Sequence, residues 1–125
     1  MGFSLGIKSA KEIASILAVK NEIVHIDLSK NNLRDEGADE ILRKVKLSTT
    51  IIHVDLSQNS ISPAGAKKIF KNLIGHTSVI SLNMGNEENT SKNKIGLKAL
   101  PKLVEMIQSS SILQFLNLRS TVIGD

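Results

Sequence analysis

A chain of 125 residues has room for one domain, and with 41% hydrophobic residues, three Phe and no Tyr or Trp, its core must be aliphatic. The absence of cysteine excludes a disulfide framework and thiolate chemistry and fits a reducing, cytoplasmic setting, and no apolar run reaches the ~18 residues that span a bilayer. The net charge of +4 rests largely on cations of helix-like segments (Lys8, Lys11, Arg43, Lys44, Lys67, Lys68, Lys71, Lys98, Lys102). These read as solvated faces, because the aromatic residues that would stack bases in a nucleic-acid stripe are missing.

From the N-terminus, Gly2-Phe3-Ser4-Leu5-Gly6 matches the G-x-S-x-G string of a nucleophile elbow, but too few residues precede it to build the strand that aims the serine. Ser9 to Val19 follows a helical period, with Ser9 and Glu12 in a capping-box pattern. Next comes IVHIDLSKNNL, Ile23 to Leu33, which recurs 28 residues later as IIHVDLSQNSI, Ile51 to Ile61. Apolar residues two apart share one face of a strand, so Ile26 with Leu28 and Val54 with Leu56 turn into the core of strands His25–Leu28 and His53–Leu56. Behind each lies a period near 3.6: Ala38, Ile41, Leu42 and Val45, then Ala66, Ile69, Phe70 and Leu73. Helices are therefore expected over Asp35–Val45 and Ala64–Leu73, started by Asp35 and by Ser62-Pro63.

A third start, Val79 to Met84, keeps the 28-residue spacing and predicts a strand over Ser81–Met84. Its sequel does not. Counting 28 beyond Asn59 gives Glu87, so the third unit breaks its asparagine ladder, and Gly85 to Lys94 reads as a polar surface insertion. A helix within Leu97–Ile107, begun or kinked by Pro101, leads to a fourth strand, Phe115–Leu118. Gly6 to Leu28 also matches Gly96 to Leu118 at a constant offset of 90, making the first helix part of a leading half-repeat. Thr121 to Asp125 resembles the turn into a further unit, with no capping helix after it. The expectation is a piece of a longer array, or an end covered by another molecule and open to self-association along the Phe115–Leu118 edge.

A fixed period of this size marks stacked repeats, and the pattern L-x-x-L-x-L-x-x-N-x-L is met by Ile23, Ile26, Leu28, Asn31 and Leu33, then by Ile51, Val54, Leu56, Asn59 and Ile61. With Asp55 to Ile61 followed by Gly65-Ala66-Lys67-Lys68-Ile69, the chain resembles leucine-rich repeat proteins of the ribonuclease-inhibitor type. The resemblance implies an α/β right-handed solenoid, its parallel sheet concave and its helices convex. It also implies a structural role for Asn31 and Asn59, bonded to the backbone of the turn and of the neighbouring repeat. The whole chain is then one domain: a half-repeat 1–22, repeats 23–50, 51–78 and 79–112, and a partial repeat 113–125.

Alternation with the core residues puts His25, Asp27, His53, Asp55, Asn83, Phe115, Asn117 and Arg119 on the exposed face of the sheet. An exposed aromatic beside an arginine is the usual kind of anchor for a protein contact, so the expected function is a non-enzymatic protein-interaction module without cofactor or bound metal. The rival reading is a metal-dependent hydrolytic site on the grid of His25, Asp27, His53 and Asp55, whose parallel strands would lie ~4.8 Å apart. Enrichment in Lys, Asn and Ile suits an AT-rich genome, and repeats resembling this type occur in eukaryotic regulators and in effectors that intracellular bacteria deliver into host cells.

Overall fold

The computed structural model describes residues 6–20, 22–87 and 92–121. Elements alternate: α1 (Gly6–Val19), β1 (His25–Asp27), α2 (Arg34–Val45), β2 (His53–Asp55), α3 (Pro63–Leu73), β3 (Ser81–Asn83), α4 (Gly96–Ser109) and β4 (Phe115–Asn117). The strands form one parallel sheet in the order β1-β2-β3-β4. Consecutive parallel neighbours require a crossover each time, and a helix supplies it, so the helices stack as a second layer, α1 on α2, α2 on α3 and α3 on α4. The two layers enclose Ile26, Leu28, Val54, Leu56, Leu82 and Met84 from the strand side with Ile41, Leu42, Ile69, Phe70 and Leu103 from the helices. This is the α/β repeat solenoid that the period predicts.

Boundaries differ from expectation in physically informative ways. Each strand spans three residues, because the chain turns away immediately after the second outward-facing side chain. Helix α1 already runs from Gly6, so Ser9 is helical and the capping box with Glu12 has no terminus to cap. Helix α2 starts at Arg34 behind Leu33, whose side chain makes no cap. Asp35 serves the next unit instead: its carboxylate accepts from the Ser62 amide (2.7 Å) and the Ser62 hydroxyl. Ser62 in turn accepts from the Gly65 amide (3.3 Å) ahead of Pro63, as a cap before proline should. A Cβ on Gly65 would collide with the Asp35 carboxylate, which is why that position is glycine. Pro101 lies inside α4, not at its start.

The turns that return α2, α3 and α4 to the next strand share one device. Ser48 Oγ accepts from the Thr50 and Ile51 amides (3.1 and 3.0 Å), and Ser110 Oγ from those of Ile112 and Leu113 (3.3 and 2.9 Å). Between them, His76 Nδ1 does the same for Ser78 and Val79 (both 3.2 Å). That assigns the proton to Nε2, which bonds the Val45 carbonyl at 2.8 Å. His76 is therefore a structural residue of the turn. The expectations placed on Gly2 to Leu5 and on Val122 to Asp125, and the centre of the 85–94 insertion, lie outside the described residues.

Candidate binding face

The register His25–His53–Ser81–Phe115 and Asp27–Asp55–Asn83–Asn117 aligns two columns on the face away from the helices. At the sheet's edges His25, Asp27, Phe115, Asn117 and Arg119 are exposed; within it His53, Asp55 and Asn83 are half-buried by their neighbours. Phe115 leaves 62% of its surface in solvent. The His25 and His53 rings lean together, centroids 5.2 Å apart and tilted by 42°.

The second column is locally committed. Asp27 Oδ1 accepts from the Ser29 amide (3.1 Å) and hydroxyl (2.8 Å), and Asp55 Oδ1 from those of Ser57 (2.9 and 2.7 Å). Asn83 and Asn117 do the same with the amides of Gly85 and Arg119 (both 3.0 Å). Each is an Asx-type turn that ends its strand and aims the chain toward the helix. Bonds from the Ser29 hydroxyl, then from its amide, hold the Asp27 carboxyl below the usual carboxylate range. The Asn117 amide also lies against Gly85, where a Cβ would clash with it.

This commitment weighs against the metal-site alternative without testing it. Among the described residues no three His, Cys, Asp or Glu side chains come together to hold a metal ion. Each aspartate faces its own serine, and alternate positions on a sheet project side by side rather than toward one point. A cavity of about 650 Å³ lies elsewhere, on the turn edge between Asn32, Arg34, Asp35, Glu36, Ser60 and Ser62.

Beneath the turns runs the asparagine ladder. Asn59 Oδ1 accepts from the Asn31 and Leu33 amides (3.0 and 3.2 Å), while its Nδ2 donates to the Leu28 and Leu56 carbonyls (2.8 and 3.1 Å). One unit on, Asn93 Oδ1 accepts from the Asn59 and Ile61 amides (2.9 and 3.1 Å), and its Nδ2 donates to Leu56 and Met84 (2.7 and 3.1 Å). The ladder expected to break in the third unit therefore continues, on a residue 34 positions after Asn59 instead of 28. Asn86 makes this work. It bonds the Asn93 backbone in both directions (2.9 Å each) and donates to the Ser120 carbonyl (2.9 Å), closing the neck of the insertion.

A family model for the leucine-rich repeat matches residues 22–42 and 47–70, the segments that carry β1 with α2 and β2 with α3. These segments are leucine-rich repeats. Among solved structures, the repeat fold is shared with a chain described as leiomodin-1 actin-binding site 2, at a TM-score of 0.74 and 18% identity. The match covers 90% of this leucine-rich repeat chain and 62% of that one, so the chain spans less than two thirds of that chain's length. No curated protein sequence matches it. Among the described residues no helix is long and apolar enough to cross a membrane.

Proposed function

We propose that this leucine-rich repeat domain is a non-catalytic protein-binding module whose partner docks on the exposed face of the sheet. The observation that carries this is the arrangement of that face. Phe115 stands exposed at one edge with Asn117 and Arg119 nearby, and His25, Asp27, His53, Asp55 and Asn83 continue the surface as a polar field across all four strands. An exposed aromatic next to an arginine, rimmed by polar groups, has the composition of a contact anchor. The Asx turns hold the polar side chains in place before any partner arrives, which lowers the ordering cost of binding. The fold likeness to a chain described as an actin-binding site supports a protein-binding role and makes purified actin the first probe.

The absence of cysteine supports a cytoplasmic setting, and the Lys-, Asn- and Ile-rich composition supports the class of effectors delivered into host cells. We extend the proposal to self-association through the C-terminal edge. The test is affinity capture followed by hydrogen exchange on the recovered complex. Asp55→Arg and Phe115→Ala should each abolish capture while Lys68→Glu, on the helical side, should not. Protection confined to the helical layer would reject the sheet face as the site.

A further inference from the structure

Four side chains in register across the sheet make the same bond and differ in the atom they leave over. Asp27, Asp55, Asn83 and Asn117 hold matching positions on β1 to β4. In each, Oδ1 accepts from the amide two residues on, that of Ser29, Ser57, Gly85 or Arg119. An N–H can be met only by an oxygen, so the orientation of both asparagine amides is fixed and Nδ2 is the second atom. The remaining atoms are therefore carboxylate Oδ2 on β1 and β2 and amide Nδ2 on β3 and β4.

The two inner strands, β2 and β3, have a strand on both sides. Asp55 Oδ2 and Asn83 Nδ2 make no hydrogen bond or ion pair among the described residues, and neither atom is closed off from solvent. The turn does not require them to differ. Asn83 accepts its amide at 3.0 Å, as Asp55 does at 2.9 Å, so an asparagine at 55 would keep the turn and lose the charge. Like charges opposite each other on paired strands repel, yet Asp27 and Asp55 stand side by side. Hydrogen bonds from Ser29 hold the Asp27 carboxyl below its usual range all the same, so that carboxylate stays ionised. Between β2 and β3 the open atom changes from a charged acceptor to a neutral donor, over a strand spacing of ~4.8 Å. Arg119, exposed and two residues beyond Asn117, adds a cation to the donor half.

We infer that the partner of this face is a protein segment of mixed charge. It seats a lysine or arginine side chain on Asp27 and Asp55 and sets carbonyl or carboxylate oxygens against Asn83, Asn117 and Arg119. This rests on the proposal that the sheet face is the docking surface, and it names the chemistry that the surface selects. The four positions span three strand spacings, roughly 14 Å, which about five extended residues cover. A nucleic acid does not fit, because its phosphates would meet the two carboxylates, and an all-acidic segment meets the same obstacle. An all-basic segment confronts Arg119 and leaves the asparagine amides without acceptors.

The probes are three capped pentapeptides: Arg-Gly-Ser-Gly-Glu, and versions of it with arginine at both ends or glutamate at both ends. NMR titration of the isotope-labelled chain, up to millimolar peptide, reads the amides of Ser29, Ser57, Gly85 and Arg119, which report on the four side chains. The mixed peptide should shift all four and bind about fivefold more tightly than either same-charge peptide. The double variant Asp27→Asn with Asp55→Asn should keep a cooperative melt and lose that preference. Equal binding of the three peptides overturns the inference, as does a mixed peptide that leaves the four amides unmoved or binds the double variant as well as the wild type. The docking proposal fails separately, if Asp55→Arg and Phe115→Ala leave capture of the partner intact. A partner lost on those two variants but indifferent to the double asparagine variant would keep the face as the site and remove its charge selection.

Discussion

The second and third units build the same turn by different covalent routes. In the second, Asn59 follows Asp55 by four residues; in the third, Asn93 follows Asn83 by ten, and Asn86 ties the extra loop shut. Asn59 and Asn93 nevertheless share four corresponding bonds, each accepting two amides of the preceding unit and donating to one carbonyl of that unit and one of its own; Asn59 adds a bond to the Ser57 carbonyl (3.2 Å). A repeat is thus defined by where its side chain arrives in space. Added loop length costs little closure entropy so long as the backbone groups of the preceding turn still find their partner.

The harshest way to break this correspondence is to remove the core on which both turns rest. Val54→Asp should place an unpaired carboxylate between stacked repeats and cost more than about 4 kcal/mol, leaving no cooperative thermal transition near that of the wild type. A melting curve like that of the wild type would mean the inward face is misassigned. The two ladder residues give a sharper comparison. Asn59→Ala and Asn93→Ala should each cost about 3 kcal/mol in urea denaturation, since each strands two buried amides. A much smaller loss at Asn93 would show that the third turn is decorative. Asn86→Ala should cost about 1–2 kcal/mol, because it frees one buried amide while Asn93 keeps its own side-chain bonds.

The smallest effect separates the charged turns from the neutral ones. The Asp27 carboxyl is lowered in the folded state, so its contribution is fully present above the unfolded-state pKa and lost as pH falls through the folded value. NMR titration should place Asp27 below the ordinary carboxylate range, and Ser29→Ala should raise it. Asn83, at the same place in the third unit, has no such dependence on acid.

Periodicity made the strand order, the core and the outward columns legible, because a two-residue alternation repeated at 28 leaves one face for the apolar residues. Contacts between units were less legible. Asp35 looked like a helix cap because its type and place suit one, yet its partner, Ser62, lies 27 residues away. Asn93 was missed by counting a fixed 28, although Asn93-Lys94-Ile95 repeats the Asn-x-Leu/Ile of Asn31 to Leu33 and Asn59 to Ile61. The His/Asp grid was visible as a pattern of positions. Its lack of convergence came from the Ser29 and Ser57 turns, a local relation that a column-by-column view of the face passes over.

The contact between Asp35 and the Ser62 turn carries a consequence for how this chain can diverge. Gly65 has no room for a side chain while Asp35 keeps its carboxylate there, so the two positions form an epistatic pair. A side chain at 65 becomes tolerable only after 35 is shortened, and restoring aspartate afterwards would be harmful. Substitution there must run in one order, and relatives should carry any combination at these two positions except Asp35 together with a side chain at 65.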